Sequence, residues 1–382
     1  MRIIDVLLFI ICLSSVLFYG YGIYAAITFW SHPYPIAPRF HPPVTILKPI
    51  CGLDSYTYEN FASFCQQDYP KYQMIFGVSA HEDPVIEVVE KIIHQFPDVD
   101  IHLVVSPQII GTNLKVSNLA NAVVAAKHEI LVIADSDIRV GKDYLQRVIQ
   151  PFKDQKVGVV TCMYRSVAKG WVATLEAIVT ATDFHAGVLA SNQLEGTKFA
   201  CGSTIAIRKE VLEAIGGFEA IADYLADDFK LGYLAAQKGY KVVLSDYVVD
   251  HVLAITTVTD AIKRQIRWAR CIRVSRPWGY LGLLFTYGTV ASLLLLTAMQ
   301  GSRVGWMALV ITWVMRLLMG WAVGVNILND PIAKKFLWVI PLGDLIHFGI
   351  WCYGFVGSTI EWRGRRLKLT KEGKLYGVQS KT

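Results

Sequence analysis

Apolar residues occur in two different patterns along the chain. In residues 3–30 they are almost continuous, and Asp5 is the one charged side chain. This run is long enough to cross a bilayer, which takes about 20 apolar residues, and it is longer than a signal-peptide core of about 7 to 15 residues. We therefore predict an uncleaved transmembrane anchor over residues 1–30. Residues 31–43 are rich in proline and are predicted to form a stiff, extended linker.

Residues 44–258 show the second pattern, in which short apolar runs alternate with amphipathic runs. VTILKPI, QMIFGVSA, IHLVVS and EILVIADSD are typical of buried strands, and PVIEVVEKIIHQF and SNLANAVVAAK are typical of helices between them. The alternation predicts an α/β fold with a mostly parallel sheet that is covered on both faces. Ligands of such sheets bind beyond the carboxyl ends of the strands. Polar residues at those ends are therefore the first candidates for a functional site.

The chain becomes strongly apolar again over residues 280–362. Segments 280–298, 304–328 and 336–360 are each long enough to cross a bilayer. Three crossings would place a cytoplasmic catalytic region and the basic tail, residues 363–382, on opposite faces, against the bias of Lys and Arg toward the cytoplasm. We therefore expect one of the three segments to be re-entrant or interfacial.

Composition and charge agree with a membrane protein. The hydrophobic content of 53% and the mean hydropathy of +0.39 are high for a soluble enzyme. The seven cysteines have no paired spacing, which predicts neither a disulfide framework nor a zinc site and fits a reducing compartment. Basic residues crowd into 259–279 and 363–382, as expected beside anionic lipid on the cytoplasmic face. No nucleic-acid-binding motif is present, so we expect no nucleic acid partner.

The string ADSDIRV places two acids at the end of a predicted strand. Asp135 and Asp137 are two residues apart, so their carboxylates can share a divalent cation, Mg²⁺ or Mn²⁺, with a nucleotide diphosphate. An isolated pair of this kind is more often an ordinary acidic turn. Two further features lie in the order that such a mechanism needs: Glu82 and Asp83 end an earlier strand, and Lys115 lies at a helix start, where it can meet a phosphate.

Two adjacent acids, Asp227 and Asp228, begin an amphipathic run. One interpretation is structural, because acids at a helix N-terminus interact favourably with the helix dipole. The other is a general base for an acceptor hydroxyl, because adjacent carboxylates raise one another's pKa. The local sequence leaves both open. It also leaves open whether residues 171–190 form an interfacial helix that lines a lipid entrance or a buried core helix.

These motifs in combination resemble a known enzyme family. VTILKPICG, HEDP, GTNLKVSNL, DSDIRV, ATLEAI, ADDF and RQIRW occur in this order and are followed by apolar segments. The chain resembles membrane-bound inverting glycosyltransferases of the GT-A fold, and among them the ceramide glucosyltransferases of glycosyltransferase family 21. The resemblance is strong over about residues 44–276 and extends to the string WRGRRLKL.

The resemblance implies a GT-A domain over residues 44–258 on the cytoplasmic face of an integral membrane protein, with a UDP-sugar donor and a membrane lipid acceptor. It implies that Glu82 or Asp83 contacts the uridine, that Asp135 and Asp137 contact the ribose and the cation, and that Asp228 is the general base. The remaining candidates that it implies are Lys115 at the donor, Asp227 and His185 near the acceptor, His251 as a further metal ligand, and Arg264, Arg267 and Trp268 over the diphosphate.

The resemblance also orders the possible reactions. RQIRW matches the RxxRW pattern, whereas processive polysaccharide synthases carry QxxRW. This favours a single transfer to a lipid over chain polymerisation, and the resemblance implies glucose as the sugar and ceramide as the acceptor. Transfer of N-acetylglucosamine to a hopanoid polyol, a processive synthase and a membrane scaffold without activity remain the alternatives.

Within the basic segment 259–279, arginines occur at every third position from Arg264 to Arg276. Steps of three residues drift by about 60° each on a helix, so these arginines do not form one stripe. We therefore predict divided roles. The predicted donor and acceptor contacts are Arg264, Arg267 and Trp268, and the predicted lipid headgroup contacts are Arg270, Arg273 and Arg276.

Overall fold

The structure is a computed structural model that describes residues 2–254 and 256–377. The described residues form two compact units. The sheet unit comprises residues 33–167, 195–254 and 373–377, and the helical unit comprises residues 2–32, 168–194 and 256–372. The last five residues of the predicted basic tail, 378–382, lie outside the described part of the chain.

The strands are β1 Val44–Ile50, β2 Tyr72–Val78, β3 Asp100–Val105, β4 Ile130–Ala134, β5 Ile138–Arg139, β6 Val157–Val167, β7 Thr204–Arg208, β8 Lys241–Val252, β9 Thr359–Trp362, β10 Arg365–Leu369 and β11 Leu375–Gly377. The α-helices are α1 Ile3–Trp30, α2 Thr57–Cys65, α3 Val85–Gln95, α4 Leu114–Val123, α5 Tyr144–Val148, α6 Trp171–Val179, α7 His185–Glu195, α8 Lys209–Ala214, α9 Asp227–Gln237, α10 Val258–Ser275, α11 Pro277–Gly282, α12 Gly288–Ala298, α13 Arg303–Gly320, α14 Pro331–Phe336 and α15 Ile340–Gly354. Short 3₁₀ turns lie at Gln150–Lys153, Phe218–Ile221, Leu283–Thr286 and Leu337–Val339, and π-helical segments at Thr180–Phe184 and Trp321–Ile327.

The sheet unit is built on one mixed sheet with the strand order β3-β2-β1-β4-β7-β6-β8-β5. Strands β3, β2, β1 and β4 are parallel, and β7 runs antiparallel to both of its neighbours. Every residue of β1 and β4 is buried, as expected for strands with both faces covered. The predicted α/β fold with a mostly parallel sheet is confirmed.

Successive residues of a strand point to opposite faces of the sheet. Accordingly, Ile46 packs into one hydrophobic core with Phe61 and Phe76, while Leu47 packs into a second with Leu119 and other residues of α4. The cores hold the parallel strands in register, so the carboxyl ends of β2, β1 and β4 lie side by side. The DxD loop, which we define as residues 135–137, follows β4 directly at this edge.

The helical unit contains the apolar helices. Four are long and apolar enough to cross a membrane: Ile3–Trp30, Trp171–Glu195, Arg303–Ile327 and Pro331–Gly354. The first, third and fourth correspond to predicted segments. The predicted segment 280–298 is instead broken into two helical parts that are bent by 50°. This bend fits either a broken span or a re-entrant loop, the kind of irregularity that the charge distribution predicts.

Two parts of the helical unit differ from the simplest picture given by the sequence. Residues 168–194, which the predicted catalytic region includes, belong to the helical unit and contain all but the last residue of the candidate span Trp171–Glu195. Strands β9 and β10 form an antiparallel hairpin at the start of the predicted basic tail. Arg363 and Gly364, with φ of 47° and 73°, form its tip, as in the tight turns that favour hairpins.

Candidate active site

The second acid of the DxD loop lies beside a histidine of β8. Because β5 pairs with β8, Asp137 Oδ2 comes to 3.2 Å from His251 Nε2, and the two side chains are 35% and 16% exposed. Burial raises the pKa of the Asp137 carboxyl, but the adjacent His251 outweighs burial and holds the pKa below its ordinary value. Among the described residues no group of three or more His, Cys, Asp or Glu side chains is placed to hold a metal. A cation between Asp137 and His251 would therefore need further ligands, such as water or the oxygen atoms of a substrate.

The first acid of the loop is paired with Lys115. The Nζ atom of Lys115 lies 2.7 Å from Asp135 Oδ1 and 3.3 Å from Asp227 Oδ2. Burial lowers the pKa of Lys115, but the two carboxylates outweigh it and hold the pKa above its ordinary value. One ammonium group therefore joins the DxD loop to the N-terminus of α9, residues that are 92 positions apart in the chain.

Asn113 fixes this junction and was not identified from the sequence. Its side-chain oxygen accepts hydrogen bonds from the backbone N–H groups of Lys115 and Val116, which caps α4. Its Nδ2 group donates to the carbonyl oxygen of Tyr224 at 2.9 Å and to Asp227 Oδ1 at 3.3 Å. An asparagine directly before an apolar helical run is a recognisable cap, but its second set of contacts depends on the tertiary fold.

Asp228 has the properties of a group that exchanges a proton near neutral pH. Burial, and after it the adjacent Asp227, raise the pKa of the Asp228 carboxyl to about 7. Its Oδ1 atom accepts a hydrogen bond of 2.7 Å from the backbone N–H of Phe229. Gly202 lies against the other oxygen, because a Cβ atom at this glycine would be 2.7 Å from Asp228 Oδ2.

The two acids that follow β2, Glu82 and Asp83, have different surroundings. Asp83 Oδ2 accepts a hydrogen bond from the N–H of Gly52 at 2.8 Å, and its Oδ1 accepts one from the N–H of Val85 at 3.0 Å. Asp83 thus joins the turn after β1 to the start of α3. Glu82 is exposed. The contact of either acid with uridine stays a prediction.

In the helical unit, Arg264 binds a carboxylate. Its Nε and Nη2 atoms lie 2.7 Å and 2.5 Å from the two carboxylate oxygens of Glu176 on α6, and Gln265 Nε2 donates to the same carboxylate at 2.9 Å. The Glu176 side chain is 4% exposed. The first arginine of RxxRW, assigned from the sequence to the diphosphate, therefore joins α10 to α6.

Arg267, the second arginine of the motif, has different surroundings. Its guanidinium lies 5.5 Å from the ring centroid of Trp362 on β9. Burial, with a smaller effect of Arg264, lowers its pKa to about 10. In the described part of the chain it has no ion pair with a carboxylate. Trp268 is partly buried, and the donor and acceptor contacts of both residues stay predictions.

The prediction that Arg270 meets lipid headgroups is wrong, because its side chain is buried, whereas the prediction for the more exposed Arg273 and Arg276 stays a prediction. Arg270 is 8% exposed and donates to the carbonyl oxygens of Thr359 and Val356. Arg273 donates to the carbonyl oxygens of Phe355 and Gly357 at 2.7 Å and 3.0 Å. These carbonyl groups belong to residues 355–359, which lead from the end of α15 into β9. The two arginines thus supply hydrogen-bond donors to backbone carbonyl groups that follow α15.

His185 lies inside the helical unit, with no exposed surface. It begins α7, directly after the π-helical segment Thr180–Phe184, and its ring packs edge-on against Phe184 at 5.0 Å. Its role near the acceptor stays a prediction.

The chain was compared with known protein families and structures. Residues 7–375 match the sequence model of the family described as glycosyl transferase family 21. The chain belongs to glycosyl transferase family 21. The predicted family and the prediction of a glycosyltransferase are confirmed.

Two relatives of this chain are from Caenorhabditis elegans. Ceramide glucosyltransferase 3 is 30% identical over 233 residues, which cover 60% of this chain and 50% of the relative. Ceramide glucosyltransferase 1 is 29% identical over 231 residues, which cover 60% of this chain and 49% of the relative. The chain thus spans about half the length of these curated relatives.

A solved structure shares the fold. It is described as mannosyltransferase PcManGT from Pyrobaculum calidifontis in complex with GDP-Man and Mn²⁺, and it matches with a TM-score of 0.57 and 21% identity over 91% of this chain and 96% of that one. The likeness concerns the fold alone, and it confirms the predicted GT-A architecture with accompanying apolar helices.

Proposed function

We propose that this family 21 protein transfers a sugar, most simply glucose, from a UDP-sugar to a hydroxyl group of a membrane lipid such as ceramide. The observation that carries the proposal is the Lys115 junction. It joins the DxD loop, where a nucleotide diphosphate and cation would be held, to the acid pair that contains a carboxyl with a pKa of about 7. Binding of a charged donor and removal of a proton are thus served by one connected cluster.

Asp228 is the proposed general base. It takes the proton of the acceptor hydroxyl, whose oxygen attacks the anomeric carbon on the side opposite the diphosphate. The new bond forms as the bond to the diphosphate breaks, so the configuration at the anomeric carbon is inverted. A base with a pKa near the working pH is the most effective, and burial beside Asp227 gives Asp228 such a pKa.

Asp137 and His251 are the proposed protein ligands of a divalent cation, Mg²⁺ or Mn²⁺. Their carboxylate and imidazole are 3.2 Å apart, and a carboxylate is a ligand type that suits Mg²⁺ and Mn²⁺. When bound, the cation would neutralise charge on the departing diphosphate. Asp135 is the proposed ribose contact, Lys115 a donor contact, and Glu82 or Asp83 the uridine contact. From the sequence we also propose that Arg267 and Trp268 contact the diphosphate and the acceptor.

The acceptor is proposed to be a lipid because the apolar helices of the chain suit a membrane protein, and ceramide-like molecules reside in the bilayer. Two relatives are described as ceramide glucosyltransferases. The basic stretch 259–279 supports a catalytic region on the cytoplasmic side, where anionic lipid attracts cations.

The proposal is tested with purified protein in lipid vesicles that contain ceramide or a hopanoid polyol, supplied with radiolabelled UDP-glucose or UDP-N-acetylglucosamine. We expect label from UDP-glucose in an extractable glycolipid when ceramide is present, and no transfer by the Asp228→Asn variant. Label from UDP-N-acetylglucosamine on the hopanoid would identify the alternative lipid transferase. Label confined to insoluble polymer would contradict the proposal and indicate a processive synthase.

A further inference from the structure

Lys48 is a charged residue in the middle of an otherwise uncharged central strand. It belongs to β1, whose sequence is VTILKPI, and its relative exposure is 0%. Lysines are almost never buried completely unless they are paired. The surroundings of its ammonium group therefore require a physical explanation.

The ammonium group contacts the backbone of the DxD loop. Lys48 Nζ donates a hydrogen bond of 3.0 Å to the carbonyl oxygen of Asp135 and lies 3.8 Å from the centroid of the Phe64 ring. In the described residues no carboxylate oxygen forms a salt bridge with it. Burial lowers the pKa of Lys48 to about 7, although Asp135 and Asp137 act in the opposite direction. The hydrogen bond to the loop is thus the main polar contact of a costly buried group.

The next two carbonyl groups of the loop are held in the same way. Asn60, which is also completely buried, donates from Nδ2 to the carbonyl oxygen of Ser136 at 3.3 Å. The N–H of Val252 donates to the carbonyl oxygen of Asp137 at 2.8 Å. Three consecutive carbonyl groups therefore accept hydrogen bonds from three separate elements, namely β1, α2 and β8.

These three hydrogen bonds hold the backbone that carries the side chains of Asp135 and Asp137. Lys48 and Asn60 hold the backbone of the loop through its carbonyl groups, in addition to the contacts that the carboxylates of Asp135 and Asp137 make with Lys115 and His251. Ligands that are held in position before binding lose less conformational entropy when the cation and diphosphate arrive.

We propose that Lys48 and Asn60 are positioning residues that hold the DxD loop in its binding geometry through the carbonyl groups of Asp135 and Ser136. The proposal rests on the function proposed above, because it assumes that the loop binds a divalent cation together with a nucleotide diphosphate. It assigns a role to the lysine of the ILKP string, for which the sequence alone provided none.

A purely electrostatic role for Lys48 would have the opposite consequence. A positive charge under a cation site repels the cation, so removal of that charge alone would strengthen cation binding. Removal of a positioning contact would weaken it. The direction of the change in cation affinity therefore distinguishes the two roles.

The test compares the Lys48→Met variant with the wild-type protein. Methionine has a similar volume and no charge, and replacement of a buried charge by an apolar side chain is often neutral or stabilising. The affinity for Mn²⁺ is measured by electron paramagnetic resonance in the presence of saturating UDP, together with thermal unfolding. We expect Mn²⁺ to bind about 10-fold more weakly, as is typical when groups that orient metal ligands are lost, with an unfolding temperature no lower than that of the wild type.

Lys91→Met is the matched control. Lys91 is exposed and lies 4.8 Å from the Tyr58 ring centroid, so the same chemical change there should leave Mn²⁺ affinity unaltered. Asn60→Ala is the second variant, and it should also weaken Mn²⁺ binding even if Lys48→Met does not fold. Unchanged or tighter Mn²⁺ binding in the folded variants would overturn the inference. Failure of the wild-type protein to bind Mn²⁺ with UDP and to transfer sugar would instead overturn the proposed function.

Discussion

Lys115 and Asp135 form an ion pair in which Nζ lies 2.7 Å from Oδ1. The same Nζ lies 3.3 Å from Asp227 Oδ2, so the ammonium group of Lys115 contacts both the DxD loop and the acid pair of α9. The charge of Lys115 also opposes the rise in the pKa of Asp228 that burial and Asp227 cause. Substitutions at these positions should therefore shift the pH dependence of the proposed reaction in opposite directions.

The first prediction concerns that pH dependence. Asp228 acts as a base when it is ionised, so kcat/KM should rise with pH through about 7. Asp227→Asn removes a like charge and lowers the pKa of Asp228, which should move this limb to lower pH by about one unit. Lys115→Gln removes an opposite charge and should move it to higher pH. The measurement is kcat/KM for the UDP-sugar across the neutral range, and a shift of both variants in the same direction would contradict the assignment.

Asp228→Asn tests the base directly. Asparagine keeps the shape of the side chain but cannot accept the proton, so kcat should fall by about 10²- to 10⁴-fold. The KM for the UDP-sugar should change little, because the donor contacts remain. Asp246→Asn is the control, since Asp246 pairs with Arg147 at 3.3 Å and has no place in the proposed site. A rise in KM without a fall in kcat would show that Asp228 binds substrate instead.

Gly202→Ala should displace the base. Its Cβ atom would be 2.7 Å from Asp228 Oδ2, closer than non-bonded atoms can approach. Small displacements of a reacting group cost up to about 100-fold in rate, so we expect kcat to fall by about that factor at most. Gly377→Ala is the control, because among the described residues outside its chain neighbours a Cβ there would meet no atom within 4 Å. Equal kcat values for the two alanine variants would contradict the predicted contact.

The two arginines of RxxRW should differ in their effect on stability. Arg264→Ala leaves the buried Glu176 carboxylate without its charged partner, which costs about 3 to 5 kcal/mol of unfolding free energy. Arg267→Ala removes a cation–π contact with Trp362, worth about 0.5 to 2 kcal/mol. Unfolding is measured in the same detergent or lipid for both variants. Addition of Glu176→Gln should restore much of the stability of Arg264→Ala, and no recovery would argue against an uncompensated charge as the cause.

Residues at the ends of apolar runs could be predicted from the sequence. The apolar run of β4 is enough to place Asp135 and Asp137 directly after the strand, and their spacing predicts that they share a cation. Lys48, Asn60 and Asn113 could not be assigned in this way, because each acts on a residue far along the chain. Lys48 and Asp135, for example, are 87 positions apart, whereas periodicity reports only on neighbours within a turn or two.

The wrong prediction for Arg270 has the same origin. The spacing of Arg270 and Arg273 along α10 indicates only the directions in which their side chains leave the helix. The groups that they meet, however, are backbone carbonyls of residues 355–359, and a carbonyl group carries no sequence signal. The sequence therefore does not distinguish an arginine that binds a lipid headgroup from one that binds backbone carbonyl groups, when both lie beside an apolar segment.

Residues 373–377, which include β11, belong to the sheet unit. They follow all the candidate membrane spans of the described part of the chain. The N–H of Leu375 donates to the carbonyl of Asp223 at 2.7 Å, and the N–H of Leu225 donates to the carbonyl of Gly373 at 3.1 Å. These bonds hold the loop that leads directly into Asp227 and Asp228. During synthesis the ribosome makes residues 373–377 only after the helices have been translated. A nascent chain would thus complete the contacts of the loop before Asp227 only after the candidate membrane spans, which end at Gly354, have been translated.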